Sequence, residues 1–425
     1  MARSSHHCRR CAALVVGGLP DVPATNRQPP AMKIGFVTGE YPPMQGGVGA
    51  FTQELAKALA EQGHDIHIMT RRGIQPPGLS DAKRKPGELF HLPFAQLYPF
   101  INRWRWPSIA RIADWVLRHE FDVVNIQYQP AAYNMRSAAI NLLPWRLKGV
   151  TTTVVTFHDL RVPYLFPKAG WLRQTAVNTM ARQATGVIVT NAGDYQALTA
   201  RVRTPITQIP IGSNIKAREV TPAEVTAVRR QLGLNVSDCL LGYFGFLHES
   251  KGADRLLQAL AELPKHVHVV FIGGRTGSSD EANNQAFYEQ LEAFINERSL
   301  SNRVHWTGFV SDYEASAYLT AVDLMVLPYR DGASLRRGTL TAALAHGRAL
   351  LTTYPATPTP ELIHGQNSWF VPPDNPAALA EAIQYLLTDP DLRQQLGQRA
   401  TAVADLFTWD KIAAQTAEFF LAASR

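Results

Sequence analysis

Short apolar runs recur along the chain, each closed by glycine, proline or a polar pair. In the first half they cover Lys33–Gly39, Asp65–Thr70, Val123–Tyr128, Thr152–Phe157, Gly186–Thr190 and Thr207–Pro210. In the second half they cover Leu240–Phe246, His266–Ile272, Val304–Phe309, Leu324–Leu327 and Ala349–Thr353. Runs of this length predict strands buried on both faces. Between them lie stretches with apolar residues at helical spacing, among them Ala50–Gln62, Lys251–Leu263 and Gly338–His346. Thr221-Pro222-Ala223-Glu224 and Ser311-Asp312-Tyr313-Glu314 have the form of capping boxes, and Asp389-Pro390 that of a capped helix start. The alternation predicts an α/β protein with parallel sheets covered on both faces.

The series restarts after residue 212, so two doubly wound, Rossmann-like domains are expected to face a cleft. A first domain over 32–212 is followed by a linker and first helix over 213–237. A second domain over 238–408 is followed by a terminal helix over 409–425. A length of 425 residues with 46% hydrophobic content suits two cores of ordinary size. No apolar stretch reaches the roughly 18 residues a membrane span needs. Three cysteines, Cys8, Cys11 and Cys239, are too few for a disulfide framework and suit a reducing, cytoplasmic setting. Residues 1–31 do not read as a domain. They are expected to be a disordered leader or an over-extended translation start, since Met32 opens the first strand.

Charge is unevenly spread. Residues 32–212 hold 20 Lys/Arg against 11 Asp/Glu, whereas 213–425 hold 18 against 23. A basic first half points to an anionic partner, such as a membrane face or a phosphorylated acceptor. No nucleic-acid motif accompanies it. Around Ile101–Glu120, Trp104, Trp106 and Trp115 interleave with Arg105, Arg111 and Arg118. Such a segment either lies at a membrane interface or packs its tryptophans into the core.

Candidate chemistry concentrates in residues 323–353. There a buried strand leads into a loop with Asp331, Ser334 and three arginines, then a helix and a second strand. The ligand of such a βαβ unit belongs at the carboxyl end of the first strand. The first N–H groups of Gly338, Thr339 and Leu340 would face an anion there, with Arg336 and Arg337 just before them. Arginine forks beside a positive helix end suit a diphosphate. Lys251, at a helix start, is misplaced against the dipole unless an anion is present. Gly308 would let backbone meet a base edge beside Phe309. In the first domain, Gly46-Gly47-Val48-Gly49 precede a helix and offer a phosphate or sugar close approach. They are not the nicotinamide fingerprint, and the next strand ends in Arg71-Arg72 where an acid would be needed. His158-Asp159 follow a strand end, where an imidazole can bind a hydroxyl or move a proton. Asp389-Pro390-Asp391 is read as a cap, and no metal site is expected.

Glu40-Tyr-Pro-Pro with Gly46-Gly47-Val48-Gly49, His158-Asp159, Ile209-Pro-Ile-Gly212 and Gly245…Lys251-Gly252 stand in a specific order. With Asp323…Pro328, Ala345-His-Gly347, Glu361…Pro373 and Phe407-Thr-Trp409, they make residues 32 to about 420 resemble the family 4 glycosyltransferases of the retaining, GT-B type. The resemblance implies a sugar-nucleotide donor in the second domain, with the base near Gly308 and Phe309. Lys251 and the helix start at Gly338, Thr339 and Leu340 would hold the diphosphate. The first domain would bind a saccharide or lipid-linked acceptor and supply His158, its loop at Gly46 and Gly47 closing on the donor. Retention of anomeric configuration, no cofactor or metal, and a final helix crossing back from Trp409 follow from the same resemblance. So do a glycolipid or polysaccharide product and work at the inner membrane face. Two departures stand out. Phe246 replaces the family's usual arginine, and Ser334 and Ala342 fall where two glutamates are usual. Aligning Asp331-Gly332 with the family's Glu-Gly leaves Asp331 as the surviving acid, with Arg336 and Arg337 as replacement cations. A catalytically silent GT-B binding protein and a sugar-nucleotide epimerase of the same fold are the alternatives.

Overall fold

The computed structural model describes residues 30–425 apart from 45, 76–87, 134–137, 161–169, 214 and 275–280. The leader expected at the start of the chain lies outside the described residues.

Two sheets organise the chain. The first has eight strands, in the spatial order Phe90–Leu92, Ala95–Ile101, Asp65–Arg71, Lys33–Thr38, Val123–Tyr128, Thr152–Phe157, Gly186–Val189 and Ile206–Gln208. All pairings are parallel except the edge hairpin of the first two. The second has six strands, all parallel, in the order Val304–Trp306, Val267–Ile272, Cys239–Phe244, Leu324–Leu327, Leu350–Thr353 and Trp369–Val371. In each sheet the strand order reverses beside the lobe's opening strand. That reversal opens a crevice at the carboxyl ends.

The strand Ala95–Ile101 was not anticipated. It contains Pro99, which lacks the N–H a ladder uses, and proline inside a run argues against a central strand. Pro99 stands opposite Thr70 where the register shifts, so an irregularity in the pairing accommodates it. Both capping boxes form, and Asp389 accepts the Leu392 N–H at 2.8 Å. Trp104 and Trp115 are buried in the first core, so for these two the core reading holds, while Trp106 is 62% exposed.

The final helix, Trp409–Ala423, buries Ile412, Ala413, Thr416, Ala417 and Phe420, an i, i+4, i+8 stripe. This stripe packs into the first lobe's core with Leu55, Leu59 and Ile34. The helix is anchored where it begins: Trp409 Nε1–H donates to the Ser213 carbonyl at 2.6 Å, and a side chain on Gly212 would collide with the Trp409 ring. The two chain crossings between lobes therefore lie against each other. Phe420 is wholly buried. We expect Phe420→Ala to cost about 3–5 kcal/mol, read as a lower midpoint in urea unfolding.

Candidate functional site

A cleft with a cavity of about 400 Å³ is lined by both lobes. The second lobe supplies its floor from two loops, which leave the adjacent strands Cys239–Phe244 and Leu324–Leu327 at the switch point. These loops are fastened together. The Arg330 N–H donates to the Ser250 carbonyl at 2.9 Å, and Arg330 pairs with Glu249 and Asp254. Gly252, with φ of +71°, stands where any Cβ would collide with the Pro328 carbonyl. Only glycine serves there, because the backbone is left-handed and the approach close. One of the three loop arginines, Arg330, is thereby spent on holding the floor.

The fastening sets Lys251 beside Arg337. Lys251 lies in a short 3-10 turn, Glu249–Lys251, just before the helix Ala253–Glu262, and its Nζ donates to the Phe246 carbonyl at 2.9 Å. Burial, and then the Arg337 charge, hold its pKa down at about 8. The Arg337 guanidinium stacks 4.1 Å from the centre of the buried Tyr329 ring, and the Tyr329 hydroxyl pairs with Thr339 Oγ1 at 2.8 Å. Burial pushes Tyr329 up to about 12, so it stays a neutral phenol. The helix Gly338–Ala345 starts here with no side-chain cap. Its first N–H groups, on Gly338 and Thr339, have no intrahelical partner and line the cleft.

Other residues of this loop take different places. Leu340 is wholly buried and its N–H donates to the Arg337 carbonyl at 2.9 Å, so it offers an anion nothing. Ser334 shapes the turn: its carbonyl accepts the Arg337 N–H and its hydroxyl the Arg336 N–H. Asp331 does not line the cleft. Its carboxylate pairs with both Arg336 and Arg337, so it positions the arginines. Arg336, Arg337, Gly338, Thr339, Lys251 and Phe309 do line the cleft. Phe309 is 68% exposed at its rim. Gly308, with φ of +68°, bridges to Gly273 and positions that rim.

The first lobe supplies the opposite wall. His158 follows the strand Thr152–Phe157, and its Nε2 lies 2.7 Å from Gln127 Oε1. The Gln127 amide nitrogen is engaged with Asn125 Oδ1, and Asn125 Nδ2 donates to the Val154 carbonyl and Thr156 Oγ1. Gln127 therefore presents its oxygen, His158 donates from Nε2, and Nδ1 is left as an acceptor. Burial lowers the His158 pKa to about 3, so the imidazole is neutral. Phe51 packs its ring edge-on at 4.8 Å.

The glycine segment differs most from expectation. The helix runs Gly47–Glu61, so its first turn contains the glycines that the sequence placed in a loop. The cap comes from Glu40, whose Oε1 accepts the Val48 and Gly49 N–H groups at 3.0 and 3.3 Å. Glu40 is only 4% exposed, and burial raises its pKa. A Cβ on Gly46 would collide with this carboxylate. Gly46 and Gly47 line the cleft, but the positive helix end behind them already holds an anion. Capping rules search the residue just before the helix, and a cap from seven positions upstream escapes them.

Among the described residues, no helix is long and apolar enough to cross a membrane, and no three His, Cys, Asp or Glu side chains are grouped to hold a metal.

Comparison with known proteins agrees with this architecture. The family model described as "Glycosyl transferases group 1" matches residues 238–389, and that described as "Glycosyl transferase 4-like domain" matches 46–212. The chain is 25% identical over 419 residues to a D-inositol 3-phosphate glycosyltransferase of Xylanimonas cellulosilytica, covering 89% of this chain and 92% of the relative. It is 27% identical over 364 residues to a 2-deoxystreptamine glucosyltransferase of Streptomyces kanamyceticus, covering 79% and 88%. Among solved structures, sucrose-phosphate synthase from Thermosynechococcus elongatus superposes with a TM-score of 0.72 at 21% identity, covering 92% of this chain and 98% of that one. Anabaena HepE in complex with UDP and glucose superposes with a TM-score of 0.71 at 20% identity, covering 91% and 99%. With both lobes matched in this way, the chain belongs to the group 1, family 4-like glycosyltransferases of the GT-B fold.

Proposed function

We propose that this protein moves a sugar from a nucleotide-sugar to a saccharide or lipid-linked acceptor with retention of anomeric configuration. The observation that carries the reading is the convergence of Lys251, Arg337 and the uncapped start of the helix Gly338–Ala345 on one face of the cleft. Two cations and a positive helix end match a diphosphate leaving group. Arg337 takes the part of the cation that Phe246 does not supply. These groups meet the leaving charge, so the reading needs no metal. Relatives and neighbours that act on sugars, and one that holds UDP and glucose, support the donor class.

Retention follows from the family resemblance, in which the acceptor's proton goes to the departing diphosphate oxygen on the same face. Burial lowers the His158 pKa to about 3, which makes the imidazole a poor proton acceptor and is compatible with that route. The neutral His158 binds and orients a sugar hydroxyl through Nδ1.

The first lobe's exterior suits an acceptor at a membrane. Trp106 and Trp145 are 62% and 59% exposed, on helices that pack together, with exposed Arg103, Arg105, Arg146 and Lys148 nearby in sequence. Aromatic and basic side chains together suit an anionic lipid surface.

Three outcomes follow. Calorimetric titration with UDP and a panel of nucleotide-sugars gives saturable binding by wild type, weakened at least about tenfold in Lys251→Met and Arg337→Met. Catalytic silence would appear as such binding with no transfer or donor hydrolysis. The donor kcat/KM falls as pH rises past about 8, because Lys251 is charged below that value and loses its proton above it. Lys251→Arg moves this limb to higher pH. Trp106→Ala/Trp145→Ala sediments less with vesicles containing phosphatidylglycerol than wild type does, while UDP affinity is unchanged.

A further inference from the structure

The glycosyl-transfer reading leaves Glu40 without a role beyond its helix cap. Only one of its oxygens makes that cap: Oε1 accepts both N–H groups, while Oε2 has no hydrogen-bond partner among the described residues. The residue is 4% exposed and what remains accessible faces the cleft. An acceptor oxygen at the cleft wall, not used by the cap, is available to a donor on a bound ligand. The cleft-lining carboxylates among the described residues are Glu40 and Asp312, and Asp312 is an exposed residue in the first turn of its helix. Glu40 shares its wall with His158 and Gln129.

Resting on that reading, we propose that Glu40 is a substrate-positioning residue whose free oxygen accepts a hydrogen bond from a sugar hydroxyl at the first-lobe wall. A phosphate is the wrong partner, because a carboxylate already occupies the helix end and would repel it. A hydroxyl, which donates, is the right one. It belongs either to the donor's sugar or to the acceptor. Gly46 is glycine so that the carboxylate can occupy this position.

Glu40→Gln tests this. The amide keeps an oxygen for the Val48 and Gly49 N–H groups, so thermal stability is retained, whereas Glu40→Ala loses the cap and melts earlier. We expect Glu40→Gln to leave the affinity for bare UDP unchanged. We also expect it to lower kcat/KM for a sugar substrate at least about tenfold, since the charge-assisted bond is replaced by a neutral one. A loss seen already in donor hydrolysis, with KM for the nucleotide-sugar raised, assigns the hydroxyl to the donor sugar. A loss confined to the acceptor's KM assigns it to the acceptor. If Glu40→Gln does not fold, the same constants are measured in Gly46→Ala, whose Cβ displaces the carboxylate. Wild-type constants for both substrates in a folded variant would overturn the proposal and leave Glu40 as a cap alone. Wild-type protein that neither binds nor turns over any nucleotide-sugar overturns the glycosyl-transfer reading, and this inference with it.

Discussion

Two like charges held side by side organise the second lobe's face. Lys251 and Arg337 come from loops that follow different strands, and each alone would turn to water. The fastening of those loops, through the Arg330 N–H, its ion pairs and the bare backbone of Gly252, prevents that. Burial, and then the neighbouring Arg337 charge, depress the ammonium's pKa, and Asp331 pairs with Arg337. Gly245 belongs to the same constraint, since a Cβ there would lie 2.5 Å from Thr339 Cγ2 and 3.3 Å from Lys251 Nζ. A floor where Lys251 has no anionic partner among the described residues, beside an uncapped helix start, is suited to a bound anion.

Much of the fold was legible in the sequence, because buried parallel strands must be apolar throughout and helix starts carry their own caps. The strands on each side of both switch points read directly as apolar runs, as did the boxes at Thr221 and Ser311. Where the reading failed, a distant contact had overridden a local rule. Pro99 lies in a strand, opposite Thr70, at the point where the register becomes irregular. Of the two readings open for the tryptophans of this segment, packing into the core holds for Trp104 and Trp115. The cationic part of the site was visible as Arg336, Arg337 and Lys251, since charge beside a helix start is a local signal. The roles of Asp331, Ser334 and Leu340 were not, because each depends on where a turn aims its atoms. Glu40 was recognisable as part of a motif, but its function as a cap required the folded loop.

The two helix starts facing the cleft show how one fold can give its halves different chemistry. Both present positive backbone ends at a switch point. In the first lobe that end is filled internally by the Glu40 carboxylate. In the second it is left open and reinforced with cations. The local charges are opposite to those of the lobes that carry them. Residues 32–212 have a surplus of Lys/Arg, yet their charged contribution to the cleft lining among the described residues is Glu40. Residues 213–425 have a surplus of Asp/Glu, yet to the cleft lining they supply Lys251, Arg336 and Arg337 against the one carboxylate of Asp312 among the described residues. Net charge by lobe therefore describes the exterior, where Arg105, Arg146 and Lys148 lie exposed, and says little of the cleft. A wall with a carboxylate and a neutral imidazole favours hydroxyl groups, while a floor with two cations favours phosphates. A nucleotide-sugar lying with its diphosphate on the floor and its sugar toward the wall would satisfy both.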